Sequence, residues 1–299
     1  MKLKQKYNEV QYWINPTSVF YFLMLSGLVL SAFYTLFLHH NAWETIFFDR
    51  TNDKFMDFFN PLYYSYYFDP YGSWASIYPA LPHLIYRGLG MLVFADYTPA
   101  DSFALMDNFL AMLVFAIYNL VLVGGIAALL YKYIQGSRKK KLLTIGLILS
   151  AYPFLSMLER GNSILMALLA LLFYMVFKDS KNKILKELAF ISLGISAAIK
   201  IYPAIFGLLL LKEKRFMEAI RTGIYGVLAF VVPFLFMGGI GNIGVMINNI
   251  TSFSGQISSD VWGYGYKINV ANTLTFIVNG AGLPVSSTMI TYFTYAMLA

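Results

Sequence analysis

Apolar runs close to membrane-crossing length constrain this chain more than any other feature. They fall at about 17–38, 109–134, 142–158, 163–177 and 219–238, and a last one begins near 283 and is cut off at Ala299. A helix of roughly 20 apolar residues crosses about 30 Å of hydrocarbon, and helical hydrogen bonding satisfies the backbone there. Charged residues make up 12% of the chain, against about 25% in an ordinary soluble domain. The chain therefore reads as an all-α, polytopic membrane protein forming one transmembrane domain over residues 1–299. The first run is too long for a signal-peptide core and lacks a small-residue cleavage site, so it is expected to be retained as a span.

Charge sets the orientation. Lys2, Lys4 and Lys6 precede the first run, and Lys132 with Arg138–Lys141 follow the second. Lys178, Lys181, Lys183 and Lys186 come after the fourth, and Lys212, Lys214, Arg215 and Arg221 form a further block. These account for 16 of the 22 basic residues, and the positive-inside rule makes their side cytoplasmic. Ten of the 15 acids, among them Glu44, Asp49, Asp53, Asp57 and Glu159, fall on the opposite side. The net charge of +7 is thus a topology signal and not a nucleic-acid footprint. The N-terminus is expected to be cytoplasmic. The absence of cysteine excludes a disulfide framework and thiolate chemistry. Only three histidines are present, two of them adjacent (His39, His40), so no metal centre and no cofactor is expected.

Two segments do not read as simple crossings. Residues 39–108 form a long extracytoplasmic loop expected to bear juxtamembrane helices. Its apolar stretch, Ile77–Phe94, contains Pro79, Pro82 and Arg87, and is expected to lie in the interface or to dip in and return. Residues 187–211 carry basic blocks at both ends and Lys200-Ile201-Tyr202-Pro203 at the centre. This predicts a broken hairpin, two half-helices meeting at an apex that lines a protein cavity. It lies within the bundle 109–238, which a second extracytoplasmic loop at 239–280 separates from the last span, 283–299.

Three constellations can carry chemistry. In the first loop, Asn60 before Pro61 predicts a helix start, leaving Asp57 just ahead of it among Met56, Phe58 and Phe59. A carboxylate set on an apolar surface is a stronger proton acceptor, as a general base must be. Asp49, by contrast, reads as a solvated loop charge. The second constellation is Glu159-Arg160-Gly161-Asn162. Asn162 can cap the following helix, whose free N–H groups attract anions, and Arg160 offers a two-pronged fork for phosphate. The alternative is an interfacial Arg160–Glu159 pair that anchors a turn. The third is Lys200, costly at mid-membrane depth and so a site candidate; its alternative is to snorkel or to pair with an acid such as Glu159. Two cations beside an outer-leaflet carboxylate point to a lipid-linked phosphate donor. Such a phosphate leaves without a general acid, so one carboxylate acting on the acceptor hydroxyl suffices.

Met56-Asp57-Phe58-Phe59-Asn60, Tyr63-Tyr64, Ile77-Tyr78-Pro79-Ala80-Leu81, Glu159-Arg160-Gly161-Asn162 and Ile199-Lys200-Ile201-Tyr202-Pro203 occur in this order over about 150 residues. In this the chain resembles the GT-C class of membrane glycosyltransferases, most closely glycosyltransferase family 87, the polyprenyl-phosphate-mannose-dependent mannosyltransferase-like proteins. The resemblance implies a GT-C-like fold and an inverting transfer of a hexose such as mannose, from a polyprenyl phosphate to a lipid or glycan acceptor outside the cell membrane. It implies Asp57 as catalytic base and Arg160, Lys200, Asn162 and Tyr202 as contacts to the donor phosphate. Tyr78 and Glu159 would support them, and Asn269-Val270-Ala271-Asn272-Thr273 is similar to a late motif of the family, which adds Asn272. Asp49 or Asp53 with Asp57 could match the acidic pairs that hold metal in other GT-C families, but family 87 implies no metal. Family members run about a hundred residues longer, and Pro79-Ala80 replaces the usual proline pair. Trp262 or Tyr264 could stack on sugar, although both suit plain interfacial anchoring. The competing expectations are a transporter or flippase of lipid-linked saccharides, whose usual paired halves are not visible here, and a non-catalytic assembly subunit.

Overall fold

The longest uninterrupted apolar runs become the longest helices. In the computed structural model, which describes residues 16–37, 54–67, 69–256, 286 and 289, all regular structure among the described residues is helical. Helix α1 spans Pro16–Phe37, α2 Met56–Tyr67, α3 Ala80–Val93 and α4 Phe109–Tyr133. Next come α5 (Arg138–Leu149), α6 (Tyr152–Arg160), α7 (Ile164–Phe177) and α8 (Lys183–Ile199). The described part closes with α9 (Gly207–Lys212), α10 (Phe216–Val231) and α11 (Asn242–Gln256), and 3-10 turns cover Phe103–Asp107, Tyr202–Phe206 and Val232–Phe236. Among the described residues two helices, Phe109–Tyr133 and Phe216–Phe236, are long and apolar enough to cross a membrane. Asn108 starts the first, its side chain accepting the Ala111 N–H at 2.9 Å. The expected last span, 283–299, lies outside the described residues but for Ser286 and Met289.

The run at 142–158, read from sequence as one span, is two helices bent by 61°. Pro153 sits in the first turn of α6, where its missing N–H costs nothing, but a helix running through it would lose a bond to Leu149. Helix α7 has 14 residues, only about 21 Å of rise. Ser192 and Ser196 of α8 donate to Ala170 and Ala167 carbonyls of α7 at 2.8 and 2.7 Å, polar contacts that join the two helices.

Helix α8 ends at Ile199, the chain breaks at Lys200 and Ile201, and helical structure resumes at Tyr202. Pro203 lies in the first turn of that second piece, as expected. The two ends of the 187–211 stretch are joined through Glu218 of α10, which pairs with both Lys186 and Arg215. Arg221 reaches Glu187 at 2.7 Å, and Lys186 reaches Glu218 at 2.5 Å. Arg215 pairs with Asp179 at 2.7 Å and Glu213 at 2.9 Å, and Lys178 with Glu213 at 2.6 Å. Above this network α8 and α10 nearly touch: a Cβ on Gly194 would lie 2.7 Å from the Gly226 nitrogen and 2.9 Å from the Tyr225 carbonyl carbon. Backbone cannot turn aside as a side chain can. Gly194→Ala is therefore expected to part the helices and lower stability by about 1–3 kcal/mol, read as a fall in Tm in lipid nanodiscs. An unchanged Tm would mean that the contact is looser than it looks.

Candidate active site

Asp57 lies in the first turn of α2, not ahead of a helix. The start expected at Asn60-Pro61 is displaced upstream because Met56, Phe58, Phe59 and Leu62 are all driven into the core, each 1% exposed or less. Pro61 is left inside the helix, and Asn60 accepts the Ser102 hydroxyl at 2.7 Å instead of capping. Phe55 makes the start possible. Its carbonyl accepts the Phe58 and Phe59 N–H groups at 3.0 Å each, and its backbone is left-handed at φ 62°. For a phenylalanine this costs about 1–3 kcal/mol, offset by packing of its ring 4.9 Å from that of Phe115. The Asp57 carboxylate consequently sits at the positive end of the α2 dipole.

Helix α6 delivers the partners. It ends in a Schellman turn: Gly161 N–H bonds the Leu158 carbonyl at 3.1 Å and Asn162 N–H the Met157 carbonyl at 3.0 Å. Gly161 holds the left-handed position, φ 65°, and any Cβ there would lie 2.6 Å from the Phe58 Cβ and 2.7 Å from the Phe115 ring. Its carbonyl accepts the Tyr86 hydroxyl at 3.1 Å. Pressed against Phe58, the turn presents its flanking side chains to the neighbouring Asp57. Arg160 donates through Nε to Oδ2 at 2.8 Å and through Nη2 to Oδ1 at 2.7 Å, and Asn162 Nδ2 donates to Oδ2 at 2.6 Å. The Asn162 oxygen meanwhile accepts the Ile164 N–H at 2.9 Å, joining α7 to the turn. Asp57 is thus a clamped carboxylate and not the isolated one expected from its apolar neighbours. Its side chain is 17% exposed and that of Arg160 14%.

Tyr78 links this cluster to the break after α8. Asp57, Arg160 and Asn162 all lie close enough to act on its hydroxyl, and the Lys200 ammonium lies 4.1 Å from its ring centroid. Burial, then the charge of Asp57, push the Tyr78 pKa up, while Arg160 and Asn162 oppose the rise. The hydroxyl therefore remains protonated. Lys200 stands within electrostatic reach of Asp57 and, among the described residues, forms no ion pair, so the alternative pairing with Glu159 is not what the structure holds.

The remaining candidates divide. Glu159 precedes Arg160 in α6, with both carboxylate oxygens enclosed. Tyr202 is 58% exposed and, with Pro203, walls an apolar cavity of about 350 Å³ against α5, α6 and α7, so it is not gathered into the Asp57 cluster. Asp49, Asp53, Asn272, Trp262 and Tyr264 lie outside the described residues. Gly161 stood in the sequence only as part of the Glu159–Asn162 motif with no role of its own, although an Arg-Gly pair at a helix end signals a left-handed cap. Tyr86 carried no such signal.

A family model described as glycosyltransferase family 87 matches residues 99–260, which include Arg160, Asn162 and Lys200 and stop short of Asp57 and Tyr78. No curated protein matches the chain, and no solved structure does. The match extends over more than half of the chain, its apolar helices are those of a membrane protein, and the chain belongs to glycosyltransferase family 87.

Proposed function

We propose that this glycosyltransferase moves a hexose, with mannose as first candidate, from a polyprenyl phosphate to a hydroxyl of a lipid or glycan acceptor, with inversion, at the extracytoplasmic face of a polytopic GT-C-like fold. The reading is carried by the convergence of Asp57, Arg160, Asn162, Tyr78 and Lys200, drawn from distant parts of the chain. Their formal charges sum to +1, a setting suited to a phosphodiester of charge −1. The joining of the two ends of the 187–211 stretch, Lys186 and Arg215 both pairing with Glu218, supports a hairpin whose apex carries Lys200 into the membrane.

Asp57 takes the proton of the acceptor hydroxyl, the acceptor oxygen attacks the anomeric carbon, and the bond from that carbon to the phosphate oxygen breaks. The departing polyprenyl phosphate gains a second negative charge. Lys200 and Arg160 meet that charge as it develops, so their contribution is larger in the transition state than in the ground state. A carboxylate offers about four acceptor positions, and Arg160 and Asn162 hold three. When donor phosphate draws Arg160 away, Asp57 is freed to act as base. Tyr202, which walls the apolar cavity beside α6 and α7, would stand next to the lipid.

Lys200→Ala is expected to weaken polyprenyl phosphate binding in nanodiscs by about 10- to 100-fold, the loss of a hydrogen-bonded charge. Unchanged affinity would remove Lys200 from the phosphate site. In vesicles given polyprenyl phosphate mannose and candidate acceptors, movement of the lipid across the bilayer without transfer would favour the transporter.

A further inference from the structure

The backbone of Tyr78 is held by groups that the chemistry above does not use. Its N–H donates to the Ser76 hydroxyl at 3.2 Å, and its carbonyl accepts the Tyr71 hydroxyl at 3.1 Å. Ser76 lies 2.7 Å from His83 Nε2, and His83 Nδ1 lies 2.8 Å from the Ser65 hydroxyl. Ser65 belongs to α2, two turns beyond Asp57, and His83 to α3. Asn249 of α11 steadies the same loop, donating to the carbonyls of Tyr71 at 2.9 Å and Ser76 at 3.1 Å. His83 is 0% exposed, Ser65 1% and Ser76 3%. Burial pushes the His83 pKa down to about 3, so the ring stays neutral and serves one serine as donor and the other as acceptor.

We propose that His83 is a positioning residue for Lys200: by bridging Ser65 and Ser76 it ties the loop at 69–79 to the Asp57 helix and holds the Tyr78 ring beneath the Lys200 ammonium. Cut at His83, the loop keeps its link to α11 but loses its register on α2. The ring then leaves the ammonium, which is free to turn away from Asp57 and Arg160. The consequence for donor binding rests on the reading of Lys200 as a phosphate ligand; the positioning itself does not.

The test uses the full chain in nanodiscs and measures, by mass spectrometry, the rate at which an acetylating reagent modifies Lys200. Ser76→Ala removes a single hydroxyl and serves where His83→Leu fails to fold, which a Tm measurement shows. Each is expected to raise the rate about fivefold or more, the value of a lost cation–π contact. In a Tyr78→Leu background, His83→Leu is expected to add nothing, because the two act in series. An unchanged rate in the folded variants overturns the proposal, as does a His83 effect that simply adds to that of Tyr78→Leu, since general loosening would do the same. Polyprenyl phosphate binding to the same variants is expected to weaken in parallel. If Lys200 labelling moves as stated but the native protein binds no polyprenyl phosphate, the assignment of His83 holds and the donor reading falls.

Discussion

Asp57→Asn is expected to lose sugar transfer by about a hundred- to ten-thousandfold, the usual contribution of a general base, while still binding polyprenyl phosphate. The amide keeps the shape of the carboxylate but has one acceptor atom in place of two. Its oxygen can take the Oδ2 position, facing Arg160 Nε and Asn162 Nδ2, which leaves its NH2 group against Arg160 Nη2, donor to donor. Arg160 is loosened and no longer neutralised, so lipid phosphate affinity should hold or rise even as transfer collapses. That opposite movement separates a base from a tether. A purely structural Asp57 would lose stability and binding together. Transfer near the native rate in the folded variant would leave the proposed mechanism without its base.

Gly161→Ala should be the most damaging change of a single methyl group. At φ 65° alanine is strained, and its Cβ would sit 2.6 Å from that of Phe58 and 2.7 Å from the Phe115 ring. Strain and overpacking together are expected to cost about 2–5 kcal/mol. The damage is not confined to stability. The turn must retreat from α2, taking Arg160 and Asn162 with it, so transfer should fall with Tm. Gly161→Asn divides the two causes, because asparagine tolerates the left-handed region but carries the same Cβ. Equal damage from both assigns the effect to the close approach, and a milder asparagine variant assigns it to backbone strain. A Gly161→Ala protein of native stability and activity would mean that the turn does not press on Phe58 as described.

Local chemistry made some of this legible in the sequence. The 109–134 and 219–238 runs became helices of crossing length because lipid-compatible length and composition are properties of a single segment. The kink at 142–158 was legible too, through Pro153, but the apolar run masked it. Asp57, Arg160 and Lys200 stood out as charges in apolar surroundings, which need a partner or a purpose whatever the fold. The start of α2 was misread because proline and asparagine are local signals, whereas burial of Phe58 and Phe59 is settled by what packs over them.

What the tertiary structure alone decided is who meets whom. Arg160 turns its fork to Asp57, 103 residues away, and Lys200 meets a tyrosine ring, not an acid. Neither contact could be chosen from spacing, since both depend on Gly161 allowing α6 to close on Phe58 and on His83 fixing the loop that carries Tyr78. Residue type determines which groups cannot be left alone in an apolar interior. Packing of distant segments determines which of them come within hydrogen-bonding distance, because contact energies fall off over a few ångströms while the chain between them runs for a hundred residues.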